Sequence, residues 1–231
     1  MKLLILFILT GLISLAAPNT PKAASIGLYG TSDLTIIPND FDLNSVTGLS
    51  SGAPVSAFYG DQTLSPGDGG YGTSGGLKLS GNSTVTFTYL GMEAGYQNKF
   101  FLGNDEIFKT RGSGASVEND TYSFDYTDDG QNGFLDFSFW SSNDFGSNTD
   151  NAVFVPNGAI PGAYTIGYAL LTDLSVTILF GDGWGDSDFD DMAVRMTITP
   201  SVIPLPPSVF LFGTALLGIG ALARRRKNKA A

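Results

Sequence analysis

The stretch Ser83-Thr84-Val85-Thr86-Phe87-Thr88-Tyr89 decides the fold class. Apolar and polar residues alternate with period two. In an extended chain this puts Val85, Phe87 and Tyr89 on one face and three threonines on the other. β-branched and aromatic side chains suit such a half-buried, pleated surface. The pattern recurs along the chain. Thr121 to Tyr126 groups Tyr122, Phe124 and Tyr126, and Leu135, Phe137 and Phe139 share a side. Residues 163–171 and 174–180 read as two consecutive strands, and Met192, Val194, Met196 and Ile198 repeat the alternation. Asp129-Gly130, Asn132-Gly133 and Asn157-Gly158 are turn signals between them. No long segment of period 3.6 lies between residues 25 and 200. Short strands with frequent turns predict an all-β fold, an antiparallel β-sandwich or jelly roll. The Gly/Ser-rich stretches 50–76 and 111–119 read as mobile loops.

Outside this body the two ends differ in kind. Residues 1–24 read as a secretory signal peptide: Lys2 gives a positive start, residues 3–15 are apolar, and small residues follow. Ser14-Leu15-Ala16 fits the cleavage rule best, with a later cut near Ala24 as the alternative. At the other end, residues 201–207 form a Pro-rich linker. Residues 208–223 carry no charge and are rich in Leu, Ala, Gly and Phe. As a helix they span ~24 Å at ~1.5 Å per residue, short against a ~30 Å bilayer core. Leu205 and the stems of Arg224 and Arg225 extend the run. The basic tail 224–231 favours the cytoplasmic side. Together the two ends predict that residues 25–200 are exported.

All 22 acidic residues lie in that exported segment, against five basic ones: Lys78, Lys99, Lys109, Arg111 and Arg195. The segment therefore carries −17, where the whole chain carries −10. Such a field repels nucleic acid and anionic lipid and attracts cations. There is no cysteine, so stability must come from packing. There is no histidine, which excludes an imidazole base and His-ligated zinc.

Five carboxylates fall within ten residues: Asp182, Asp186, Asp188, Asp190 and Asp191. In water two charges 4–7 Å apart repel by ~0.6–1 kcal/mol. Several such pairs oppose a compact loop unless a cation sits among them. Calcium, which takes six to eight oxygens in flexible geometry, suits the cluster. Asp186, Asp188 and Asp190 have the spacing of a looped calcium site. Asp191 and Thr197 stand where an EF-hand needs Gly and Glu. A solvated acidic turn is the simpler alternative. Trp140 and Trp184 are candidate stacking platforms for sugar rings. Glu93 could join a metal or sugar site, or merely satisfy a turn. A two-carboxylate glycosidase needs no histidine, yet no pair stands out. Ser-x-x-Lys and phosphate loops are absent. The expectation is a protein that is not an enzyme.

Pro204-Leu205-Pro206, one short apolar helix and the cluster Arg224, Arg225, Arg226 resemble the PEP-CTERM sorting signal, with Leu205 in place of the glutamate. Residues 186–196 are similar to an Asp-x-Asp-Tyr/Phe-Asp-Asp-Met-x-Val-Arg motif found just before that tail in the family. Residues 90–98 resemble a second shared motif, Gly-x-Glu-Ala-Gly-Tyr-x-Asn. The resemblance implies a Gram-negative exported protein, processed at the inner membrane by an exosortase. Its destination would be the cell surface or the exopolysaccharide matrix of a biofilm. The function expected is adhesion or assembly with calcium. A carbohydrate-binding module is the alternative, and a carboxylate hydrolase comes third.

Overall fold

The computed structural model describes residues 22–30, 33–59, 75–93, 95–130, 133–142, 153–157, 164–182 and 189–201. The expected signal peptide, apolar helix and sorting motif (Pro204, Leu205, Pro206, Arg224, Arg225, Arg226) fall outside them, apart from residues 22–24 and Ser201. Among the described residues no helix is long and apolar enough to cross a membrane.

The elements in chain order are β1 (Ser25–Gly30), β2 (Asp33–Ile36), α1 (Asn44–Thr47), β3 (Pro54–Tyr59), β4 (Gly75–Ser80), β5 (Ser83–Gly91) and β6 (Gln97–Leu102). After these come β7 (Asp105–Lys109), β8 (Thr121–Tyr126), β9 (Phe137–Ser142), β10 (Val153–Pro156), β11 (Thr165–Thr172), β12 (Ser175–Gly181) and β13 (Met192–Pro200). They form a seven-stranded sheet in the order β2-β3-β11-β12-β13-β5-β8, a four-stranded sheet β10-β9-β6-β7 and the pair β1-β4. Every pairing is antiparallel. The all-β, antiparallel expectation holds for the described residues, whose one helix is four residues long.

Register carries the alternation from strand to strand. Phe87 of β5 lies opposite Met196 of β13 and Tyr122 of β8, and Val85 lies opposite Ile198 and Phe124. Because side chains repeat every two residues, this one register aligns the apolar set of three strands on a single face. That face packs on residues from the other two sheets: Phe100, Phe137 and Phe139 from the four-stranded sheet, Leu77 and Leu79 from β4. Phe87 meets Phe100 at 4.9 Å between ring centroids, and Phe139 stacks on Phe180 at 4.6 Å. Each such fully buried phenylalanine contributes about 1.5–3 kcal/mol. Asn157 knits the same region. Its amide donates to the carbonyls of Leu77 and Leu135, and its Oδ1 accepts from the Leu77 amide and the Tyr168 hydroxyl.

The opposite face of the seven-stranded sheet carries a second apolar cluster. Val55, Ala57, Ala169, Leu179 and Ala193 lie beneath Ile37, Phe41, Leu43 and Leu49 from the segment around α1. This explains where the sequence reading differs from the structure. The stretch 50–76, expected to be a loop, contains β3. Val55 and Ala57 serve one cluster and Phe58 the other, so β3 is apolar on both faces and shows no alternation. The stretch 111–119 is a loop, but one tied to its neighbours. Ser116 N–H donates to the Lys109 carbonyl at 2.9 Å and Asn119 N–H to the Tyr89 carbonyl at 2.8 Å.

Candidate functional site

The acidic cluster is the connection between β12 and β13. Its neck is described on both sides; residues 183–188, with Trp184, Asp186 and Asp188, lie outside the described residues. Asp182, Asp190 and Asp191 are 3%, 2% and 6% exposed, so the neck is part of the interior. Two of these carboxylates do identifiable structural work. Asp191 Oδ2 accepts the backbone N–H of Asp182 at 2.6 Å, bridging the two ends of the loop. Asp190 Oδ2 accepts the N–H of Asp42 at 2.9 Å, tying the loop to the segment before α1. Charge-assisted bonds of this kind are about twice as strong as neutral ones. The main chain is held as well: Glu93 N–H donates to the Asp190 carbonyl at 2.8 Å, and the Asn98 amide to the Asp191 carbonyl at 3.3 Å.

Phe189 makes this geometry possible. Its φ of +67° is left-handed, a conformation that costs a side-chain-bearing residue about 1–2 kcal/mol. In return its ring is 2% exposed within the second cluster, where burial contributes about 1.5–3 kcal/mol. The ring fits only because residue 167 is glycine. A Cβ there would come within 3.1 Å of Phe189 Cδ1 and 2.7 Å of Val55 Cγ1. A bulge in β5 spends two residues, Leu90 and Gly91, opposite Ala193. It leads the chain to Glu93, whose side chain is exposed and whose backbone amide meets the loop.

A carboxylate offers about four lone-pair sites, so these amide bonds leave metal ligation at Asp190 and Asp191 chemically open. Among the described residues, however, no three acidic side chains are gathered for an ion. The structure thus brings Asp182, Asp190 and Asp191 to one neck and directs the last two to different partners.

Compared with family models, with curated proteins and with solved structures, the chain has no match.

Trp140 is 9% exposed, and the ammonium of Lys99 lies 4.7 Å from its ring centroid. Glu106 fixes that ammonium at 2.8 Å. Burial raises the Glu106 carboxyl, but the hydrogen bond and charge of Lys99, with the charge of Lys109, outweigh it and leave the pKa below the ordinary carboxylate value. The expectation of a sugar-stacking face at Trp140 does not fit these surroundings. Sequence reasoning missed Phe189, Gly167 and Asn98 as supports of the loop. It also missed Arg195, which donates to the Thr47 carbonyl at 2.6 Å and pins the end of α1 to β13. The one available signal was the lone aromatic between acids in Asp188-Phe189-Asp190, an apolar side chain with no apolar neighbour in sequence.

Proposed function

We propose that this chain is an exported, non-catalytic β-sandwich protein that acts at the cell surface or within extracellular polysaccharide. A PEP-CTERM-type tail would deliver it, an exosortase-type enzyme would process it, and calcium would be held by the loop between β12 and β13. The observation that carries the reading is the anchoring of the acidic motif. Its flanking carboxylates are buried latches at a strand junction, so an ion bound to the loop would act directly on the core. Five carboxylates within ten residues supply the charge that favours such an ion. The packing of Phe100, Phe137 and Phe139 against Phe87 and Phe180 supports the sandwich.

Thermal melting of the full-length chain with and without calcium tests the reading. At tenfold excess over Kd, binding contributes about 1.4 kcal/mol, which raises the melting temperature by about 3–6 °C for a body of this size. Asp186→Asn with Asp188→Asn should abolish the shift. No shift at about 1 mM calcium, the extracellular range, would count against the loop. For the tail, mature protein from the native host should lack residues 224–227 by mass spectrometry; their presence would make the segment a plain anchor. A carbohydrate-binding role is the second reading. An exposed aromatic pair, Tyr29 and Phe134, on the outer face of the β1-β4 pair favours it.

A further inference from the structure

The outer face of β1 and β4 combines an open strand glycine, a caged lysine and two exposed rings. In β1 the residues Ser25, Gly27 and Tyr29 face away from the core, since Ile26 and Leu28 pack into it. Opposite them on β4 stand Ser80, Lys78 and Gly76. Phe134 bridges Lys78 from the other side. The Lys78 ammonium lies 3.9 Å from the Tyr29 ring centroid and 4.2 Å from that of Phe134. The two rings meet edge-on at 5.8 Å, and are 60% and 37% exposed.

Three features of this face exceed what packing requires. The first is Gly27. It sits inside a strand and shows no left-handed φ, and a Cβ there would meet nothing within 4 Å. No fold constraint calls for glycine, and an open glycine in a strand marks a place where another molecule approaches. The second is the cleft over it, about 400 Å³, lined by Lys22, Ser25, Gly27, Lys78, Ser80 and Asp128. That volume is within the range of small-ligand sites. The third is charge. Residues 25–200 carry −17, a field that repels polyanions at a distance; locally against it, Lys78 and Lys22, the latter just ahead of that segment, line one cleft. Among the described residues Lys78 makes no ion pair, since the pairs found there join Glu106 to Lys99 and Lys109. Asp128, the cleft's acid, accepts from the amides of Gly81 at 2.7 Å and Gly130 at 3.0 Å; these bonds, with the charge of Lys22, lower its pKa and keep it ionised beside Lys22, so Lys78 supplies the cleft's excess positive charge. Aromatic faces hold an ammonium in place without cancelling its charge, so Lys78 is a fixed positive centre.

We propose that this cleft binds an acidic polysaccharide. A sugar carboxylate would sit between Lys78 and Lys22, and the ring would lie over Gly27 beside Tyr29. The site is separate from the acidic loop; it deepens the carbohydrate-binding reading and rests on the same ring pair, Tyr29 and Phe134.

Calorimetric titration of the full-length chain in detergent, with EDTA present, tests the site apart from calcium. Polygalacturonate is the probe, galacturonic acid its monomer control, and dextran its uncharged control. Polygalacturonate should bind, dextran should not, and the monomer should bind more weakly at the same residues. Lys78→Met should weaken binding at least about tenfold, the effect of losing one hydrogen bond to a charged group. Gly27→Leu, which fills the cleft without touching a charge, should abolish it. Lys109→Met removes the same charge elsewhere and should leave binding intact. The proposal is overturned if polygalacturonate fails to bind, or if dextran binds equally. It is overturned too if the monomer binds as tightly as the polymer, or if Lys78→Met and folded Gly27→Leu bind like the parent. An equal loss in Lys109→Met would reduce the effect to general charge and overturn the site. None of these results depends on whether calcium shifts the melting temperature.

Discussion

A single methyl group added at Gly167 should destabilise the fold, while the same change at Gly27 should not. The new Cβ at residue 167 would lie 2.7 Å from Val55 Cγ1 and 3.1 and 3.2 Å from two ring carbons of Phe189. Carbon atoms pack best at about 3.5–4.0 Å, so the overlap with Val55 is about 0.8 Å. Neither neighbour can swing away. Val55 is β-branched within β3, and Phe189 is fixed by its left-handed backbone and buried ring. Overpacking of this kind costs about 1–3 kcal/mol. At about 2–4 °C per kcal/mol for a body of this size, Gly167→Ala should lower the melting temperature by about 2–12 °C. Gly27→Ala meets open space and removes only unfolded-state freedom, a gain of about 0.4–1 kcal/mol. A double-mutant cycle sharpens the test. Val55→Ala should partly rescue Gly167→Ala, with a coupling of about 0.5–3 kcal/mol. Circular dichroism melts of the four proteins decide it. A Gly167→Ala variant that melts at or above the parent would refute the packing argument. So would a cycle additive to within about 0.5 kcal/mol.

Three further predictions concern the loop, the buried tyrosines and the amino terminus. Asp191→Ala leaves the buried amide of Asp182 without its acceptor, a loss of about 1–3 kcal/mol; an unchanged urea midpoint would contradict the latch. Burial raises the pKa of the Tyr168 hydroxyl, and burial with the charge of Glu118 raises that of Tyr89 to about 12. Both lie above the ordinary value of about 10, so their contribution is complete below pH 10 and declines above it, that of Tyr89 being lost as pH rises through about 12. Tyrosinate absorbance from these two should appear only with alkaline unfolding, and ionisation in the folded protein near pH 10 would argue against it. Residues 22–24 pack closely on Gly81, where a Cβ would fall 2.5 Å from the Lys22 carbonyl and 2.7 Å from the Ala24 amide. If the chain is exported and cleaved, its mature form should therefore begin at or before Lys22, as the cut after Ala16 would leave it; a mature terminus at Ser25 would show that this packing is not retained.

Legibility in the sequence followed alternation or an unbroken apolar run. β5, β8 and β13 are readable because each has one polar side that preserves the alternation, and β11 and β12, largely buried on both sides, because their apolar runs are long. β3 offers neither, being six residues with Phe58 breaking the alternation of Val55 and Ala57, and β1, β4, β6 and β10 are too short or too interrupted by glycine and polar residues to show a period. The acidic cluster was readable as composition. Its division of labour was not: Asp190 and Asp191 look equivalent in sequence, but one holds Asp42 and the other Asp182. Trp140 reads as a candidate platform in the sequence but is buried in the fold, while the exposed pair Tyr29 and Phe134, more than a hundred residues apart, carries no sequence signal.

By itself the sequence determined the antiparallel β class, the −17 charge of residues 25–200 and the position of the acidic motif between two strands. These depend on local alternation and composition, which need no knowledge of partners. Only the tertiary structure decided which carboxylates serve as latches, why residue 167 has to be glycine, and how Lys78 comes to stand between two rings over an open strand. Those facts rest on contacts between residues far apart in the chain, and strand order and register, which no single segment encodes, bring them together.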